Sequence, residues 1–248
     1  MSVRLVSINI EGNKHLEERV LPFIKKQNPD VITLQEVFRA DVKMIKEFTG
    51  MDGLFVPMAH IAQENTYLPE GDDVWGLLVL SRLPIINSGF EMYFKYQGKD
   101  KLPFFISTKN PGQMNRGIAW IKVKDGQENI VFATTHFMWS KEGETTPLQE
   151  EAYQEMEKIM NKLPIDVFTG DFNAPRGRKI FSLLSKRYKD NIPQDLVSSI
   201  DNDLHKAKNE INLMVDGLFS EEGILVSNVN IHTGISDHKA ISADINKD

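Results

Sequence analysis

The chain has 248 residues, 41% of them hydrophobic and 26% charged, with a formal net charge of −6 and no cysteine. That length and apolar content suit one large domain with a sizeable core, and the missing cysteines exclude disulfide staples and thiolate metal sites. The acidic balance argues against a surface dominated by non-specific DNA binding, which carries a basic excess, but it leaves room for a local basic groove.

The opening Met1-Ser2-Val3-Arg4-Leu5 lacks the long apolar run of a signal peptide, and the most apolar stretch, residues 75–80, is too short to span a bilayer. The expectation is a soluble, cytoplasmic monomer with no transmembrane segment. In chain order, residues 3–10 read as a strand in which Val3 and Leu5 alternate with Arg4. Asn13 can cap a helix whose Leu16, Val20, Phe23 and Ile24 share a face, and Asn28-Pro29-Asp30 stops it. Residues 31–34 form a buried strand ending at Gln35-Glu36, and a short helix covers 41–48. Strands follow at 74–81, 90–96 and 117–123; in the second, Phe90, Met92, Phe94 and Tyr96 recur at every second position, as a half-buried strand requires. Residues 130–136 are another strand, and Leu148, Ala152, Met156, Ile159 and Leu163 mark a helix of roughly four turns. Residues 165–169 form a strand that runs into Gly170-Asp171-Phe172-Asn173, and strands near 213–219, 224–230 and 239–245 follow. Mostly strands with helices outside predicts two packed sheets flanked by helices.

Polar residues of interest sit where these strands end, which is where a sheet scaffold presents chemistry. Asn9 and Glu36 end the first two strands, His136 and Asp171 end later ones, and Asp237-His238 precede the last. Beside Asn9, Asp171 and Asp237, Glu36 becomes a hard-oxygen ligand for Mg²⁺; taken alone it is a solvated strand-end carboxylate. His136 can stabilise a phosphate oxygen that gains charge, or it is a satisfied polar group at a strand terminus. In the Gly-Asp-Phe-Asn segment, residues two apart can share a side, bringing Asp171 to a water and Asn173 to a phosphate; an Asx-rich turn is the alternative. Neighbours in a strand face opposite ways, so Asp216 is a better partner for His238 than Asp237, which is left for the metal. No Gly-x-Ser-x-Gly elbow, phosphate-binding Gly-x-x-x-x-Gly-Lys-Ser/Thr loop or His-Glu-x-x-His helix is present.

In this order, Ser7-Ile8-Asn9-Ile10, Leu34-Gln35-Glu36-Val37, Asn115-Arg116-Gly117, Thr135-His136, Gly170-Asp171-Phe172-Asn173, Val215-Asp216-Gly217 and Ser236-Asp237-His238 resemble the endonuclease/exonuclease/phosphatase superfamily with its DNase I-like fold. Among its branches they look most like the tyrosyl-DNA phosphodiesterases and deadenylases. The resemblance implies an α+β four-layer α/β/β/α sandwich, two mixed β-sheets flanked by helices, over a single catalytic domain at 1–248. It implies metal binding by Glu36, Asn9 and Asp237, with Mg²⁺ as the ion and Mn²⁺ as a substitute. Catalytic roles fall to His136, Asp171, Asn173, Asp216 and His238, and Arg116 helps to bind phosphate. Glu11 occupies a place where some members carry an acid near the metal. Ile8 departs from the Trp common there, at a packing position.

Arg176, Arg178 and Lys179 closely follow the Gly-Asp-Phe-Asn turn and are candidates for contacting further substrate phosphates, or else they line a solvated loop. Aromatics mixed with Lys95, Lys99 and Lys101 in residues 90–105 suggest a stacking surface, although the period-2 run favours core strand for the first half. Nucleic acid is the expected substrate, a phospholipid head group or small phosphate ester the alternative, and a non-catalytic binding module a third possibility that an intact catalytic set disfavours.

Overall fold

The computed structural model describes residues 2–61, 74–99, 101–106, 112–206 and 211–247. Its elements are β1 (Val3–Asn9), a π-helical turn (Leu16–Val20) leading into α1 (Leu21–Gln27), β2 (Val31–Phe38), α2 (Val42–Thr49), β3 (Asp52–Ile61), β4 (Val74–Ser81) and β5 (Ile85–Phe94). They continue with β6 (Phe104–Phe105), β7 (Arg116–Asp125), β8 (Glu128–His136), α3 (Pro147–Met160), β9 (Val167–Asp171), α4 (Lys179–Arg187), β10 (Lys189–Asp190), β11 (Asp216–Ser220), β12 (Ile224–His232) and β13 (Ala240–Lys247).

The strands form a seven-stranded sheet ordered β12-β13-β1-β2-β4-β3-β6 and a six-stranded sheet ordered β10-β11-β9-β8-β7-β5. Both are mixed, because β1 runs parallel to β2, β3 to β6 and β8 to β9 while the other pairs are antiparallel. Val3, Leu5, Val31, Leu77 and Val79 of the larger sheet meet Ile121, Val123, Phe132, Val167 and Leu218 of the smaller one in a shared core. The opposite faces are covered too. Ile8, Ile32 and Leu78 pack on Leu21, Ile24 and Ile45 of α1 and α2, and Ala133 and Phe168 pack on Met156, Met160, Ile180 and Leu184 of α3 and α4. Helix, sheet, sheet and helix therefore stack in four layers, as the sequence predicts. Central strands apolar on both faces need no alternation, so β2 and β4 are buried along their whole length.

Several local expectations change. The π-helical turn is preceded by His15 and has no side-chain cap, so Asn13 does not cap it; only its carbonyl takes part, accepting from Leu16 N–H at 3.2 Å. Thr146 supplies a capping box for α3 with Gln149, and Pro147 occupies its first turn. The run from Phe90 to Tyr96 is not a simple alternation: β5 ends at Phe94, Phe90 is 49% exposed, and Tyr93 is the buried residue. β5 is the edge of its sheet, and register shifts at Ile85/Asn87 and Met92/Phe94 rotate its side chains out of the period-2 pattern. The strand expected near 213–219 starts only at Asp216, because the backbone before it serves a loop: Met214 C=O accepts from Arg176 N–H at 2.9 Å.

Towards one end of the sandwich the apolar core gives way to polar bridges between the sheets. Thr33 Oγ1 meets Thr169 Oγ1 at 2.8 Å, and Gln35 Nε2 donates to Thr134 Oγ1 at 2.8 Å, all four residues being buried. At the same end Gly170 lies at φ +141°, and a Cβ built there would stand 2.1 Å from the Thr135 carbonyl oxygen. Gly170→Ala is therefore expected to force β9 away from β8 and to destabilise the fold by ~2–4 kcal/mol. Urea unfolding checks this, and a variant as stable as the parent would show that the strand pair has slack here.

Candidate active site

Strand register assembles the first half of the site. His136 ends β8, Asp171 ends β9 and Asp216 begins β11, and these three are direct partners across the adjoining strands: His136 opposite Asp171, and Asp171 opposite Asp216. Paired residues on neighbouring strands project to the same face, so an imidazole and two carboxylates emerge in a row at the sheet end. The larger sheet brings the second half. Asn9 ends β1, and Glu36 lies in β2 at φ +59°, within the register shift between Leu34 and Val37 that re-aims its side chain. Asn9 Nδ2 donates to Glu36 Oε1 at 3.1 Å and to Asp171 Oδ2 at 3.2 Å, joining the halves.

Around this link, His136 Nε2 stands 3.7 Å from Glu36 Oε1 and 3.5 Å from Asp171 Oδ2. His238 Nδ1 meets Asp216 Oδ2 at 2.7 Å, and its Nε2 reaches to 3.8 Å from Asp171 Oδ2. Asp171 also accepts from Asn173, through the backbone N–H at 2.9 Å and the side-chain Nδ2 at 3.2 Å. Asp237 is buried beside His238, with Ser236 Oγ donating to its Oδ1 at 3.1 Å. The structure thus brings together Asn9, Glu36, His136, Asp171, Asn173, Asp216, Asp237 and His238, and it pairs His238 with Asp216 rather than with Asp237.

Burial decides the electrostatics. Glu36 is pushed up to about 8, first by desolvation and then by the Asp237 charge, with Asn9 opposing. Burial raises Asp171 to about 6, with His238 opposing. His136 is held well below its ordinary value by burial, with Arg116 and His238 adding to the effect, so it is neutral. Burial alone would lower His238 as well, but the carboxylates of Asp216 and Asp171 outweigh it and hold the imidazolium well above its ordinary value. Two histidines in one site are thereby kept in different protonation states.

The donor set fits a divalent cation. Glu36 Oε2 is buried without a hydrogen-bond partner, and an unpartnered carboxylate oxygen among other buried acids is what a hard oxygen-seeking ion satisfies. Ligand atoms of Asp171, Asp216 and His238 also lie within 4.8 Å of one another. Because Asp216 is already committed to His238, that trio reads as a charged, oriented imidazole beside Asp171 rather than as the ion's cage. Glu36, with Oε2 unpartnered, and its buried neighbours Asn9 and Asp237 are the candidate ligands.

The cluster opens into a cavity of about 630 Å³ whose lining includes Arg116, Trp75, Phe105, Met114, Trp139 and Leu213. Arg116 is 1% exposed and donates from Nη1 to the His136 carbonyl at 2.9 Å, so it sits behind His136. Arg176 and Arg178 do not come to this cavity. Arg176 pairs with Asp190 at 2.9 Å and donates to the carbonyls of Ile192, Pro193 and Leu196. Arg178 pairs with Glu144 at 2.6 Å and Lys179 with Glu150 at 2.7 Å. The basic run is spent on acids of the loop before α3, of α3 itself and of β10, which its sequence proximity to Asn173 did not reveal. The cavity walls were not found by sequence reasoning. Trp139, three residues past His136 and 40% exposed, carried the clearest unused signal.

The Endonuclease/Exonuclease/phosphatase family profile matches residues 6–238. No curated protein sequence matches. Among solved structures, an endonuclease/exonuclease/phosphatase from Bacteroides vulgatus is similar with TM-score 0.73 and 17% identity, over 100% of both chains. A mannosyl-6-phosphatase from Bacteroides thetaiotaomicron is similar with TM-score 0.66 and 15% identity, over 99% of this chain and 100% of that one. TDP2 of D. rerio complexed with a single-strand DNA product is similar with TM-score 0.62 and 14% identity, over 99% of each chain.

The raised acids make the metal-free protein sensitive to pH. Glu36 holds its proton more tightly folded, at about 8, than its ordinary 4.5, so its ionisation destabilises the fold progressively from about pH 4.5 to 8. Asp171 acts in the same sense up to about 6, and His238 likewise contributes stability that is lost as pH rises through its raised value. His136 acts oppositely, because the unfolded chain takes up its proton below about 6.5. Saturating Mg²⁺ should therefore raise the melting temperature more at pH 8 than at pH 5.5, as thermal unfolding can measure. A gain that shrank with pH would rule out an ion on these carboxylates.

Proposed function

Because the chain belongs to the Endonuclease/Exonuclease/phosphatase family, whose members hydrolyse phosphate esters, we propose that residues 1–248 form one catalytic domain of a Mg²⁺-dependent phosphodiesterase, with Mn²⁺ as a substitute ion. Its proposed substrate is a nucleotide-bearing ester such as the end of a nucleic acid. The observation that carries this reading is the buried set of Glu36, Asn9, Asp171, His136 and Asp216-paired His238 at the floor of a cavity with aromatic and apolar walls.

Glu36, Asn9 and Asp237 would hold the ion, which when bound neutralises the scissile phosphate and offsets the charge it gains. Asp171, mostly ionised at neutral pH, orients a water and accepts its proton as the water oxygen attacks phosphorus and the ester oxygen departs on the far side. The Asn173 N–H and the Asn9 amide fix the Asp171 oxygens for that task. His238, charged and oriented by Asp216, donates from Nε2 to a phosphate oxygen, and neutral His136 donates beside it. Asn173 Nδ2, now 3.2 Å from both the Phe137 carbonyl and Asp171, is within reach of the same phosphate.

A volume of about 630 Å³ suits one nucleotide-sized group rather than a length of duplex. Trp139, 40% exposed on its wall, offers a face to a base, with the stacked pair of Trp75 and Phe105 buried in the lining. With Arg176, Arg178 and Lys179 paired to acids, no basic track leads past the site along that run, which supports an end-directed substrate. The same observation favours a small phosphate ester as the second reading, and a mannosyl-6-phosphatase shares the fold.

A Mg²⁺-dependent panel tests the proposal: single-stranded DNA and RNA, 5′-tyrosyl DNA, abasic duplex, a mannose 6-phosphate ester, phosphoinositide and sphingomyelin. Turnover of a nucleotide-ended substrate is expected. Glu36→Gln and His238→Ala, shown folded by circular dichroism, should each lower kcat/KM at least ~10²-fold. Turnover confined to the sugar or lipid esters would replace the nucleotide reading, and full activity of Glu36→Gln would remove the metal assignment. Arg178→Ala is expected to leave KM for DNA and its salt dependence unchanged, and a clear rise in KM would restore that residue to the substrate path.

A further inference from the structure

Glu11 is a carboxylate of the site end that the proposed reaction does not use. It follows Asn9 by two residues, is 1% exposed, and lies at φ +50°. Its N–H donates to Asn9 Oδ1 at 3.2 Å, and the next N–H, of Gly12, donates to the Glu36 carbonyl at 3.0 Å. The backbone thus pins Glu11 against both members of the proposed ion site in the larger sheet. A buried carboxylate in this position needs a positive partner. Lys14 provides it: Nζ lies 3.0 Å from Oε1 and 2.9 Å from Oε2, spanning both oxygens, with the lysine stem 36% exposed and the Glu11 side chain only 2% exposed.

We propose that the Lys14 ammonium is the resident cation of Glu11, and that it limits the site to one divalent ion, held by Glu36, Asn9 and Asp237. This rests on the metal-dependent reading above. Carboxylate oxygens that already accept two charge-assisted hydrogen bonds have little left to offer a second ion, and an ammonium so close would repel one. Coulomb repulsion between a +1 and a +2 charge a few ångströms apart is severe in a buried site. The i, i+3 spacing places the pair on one turn, so the cation is delivered by the chain itself.

The test is the stoichiometry of Mn²⁺ binding to the metal-free full chain, read by calorimetry and by the electron paramagnetic resonance signal of free Mn²⁺. One ion per chain is expected for the wild type and for Lys14→Arg, and two for Lys14→Met, in which Glu11 is released. In the double variant Glu11→Gln with Lys14→Met, one ion is expected again. That variant removes the acid that Lys14→Met releases, so a second ion found there could not be held by Glu11. Two ions in the wild type overturn the inference, as does one ion in folded Lys14→Met, or a second ion in the double variant. No binding by the wild type would instead sink the metal reading itself, and this inference with it.

Discussion

The active site depends on the pairing register of β8, β9 and β11. Backbone hydrogen bonds set His136 beside Asp171 and Asp171 beside Asp216, so the chemistry of the row follows from the same bonds that build the sheet. A slip of one residue in β9 would turn Asp171 to the other face and present Gly170 or Phe172 in its place. Gly170 guards against such a slip, since its missing side chain lets β9 approach Thr135 where any other residue would collide. The last link, His238, is recruited by Asp216 from a segment tied down through Asp201 N–H to the Asp237 carbonyl and Lys239 N–H to that of Ser199.

Around this row the protein concentrates buried charge to a degree that hydrophobic packing alone would forbid. Glu36 and Asn173 hold positive φ angles without being glycine, a local strain tolerated where the surrounding structure over-determines the conformation. The acids are kept apart from water and close to one another, which raises Glu36 and Asp171 and charges His238. Such an arrangement is costly to the folded chain, and clusters of perturbed buried groups of this kind concentrate at functional sites.

Much of this was legible in the sequence because strands that end in Asn, Glu, His and Asp are unusual, and because the short motifs keep their order from Asn9 to His238. Two packed sheets flanked by helices followed from the apolar runs and the helical faces, and the four-layer stacking from the family resemblance. The pairing of His238 with Asp216 followed from the opposite facing of neighbours along a strand. What stayed illegible was whatever depended on distant partners. Arg176 and Arg178 look like phosphate ligands until Asp190 and Glu144 arrive from other parts of the chain. Phe90 looks like core until β5 proves to be a sheet edge with register shifts. The cavity walls come from residues as far apart as Trp75, Trp139 and Leu213, and apart from Trp139, close behind His136, no local pattern marks them.

The polar bridges between the sheets, Thr33 to Thr169 and Gln35 to Thr134, have a mechanical consequence. Apolar contacts have no directional preference of their own, whereas a hydrogen bond weakens steeply when its atoms are displaced by about an ångström. The two halves of the active site ride on different sheets, so any glide would open the gap that Asn9 spans. The bridges act as locating dowels just behind the working edge, and they add a directional constraint to the alignment of the two plates.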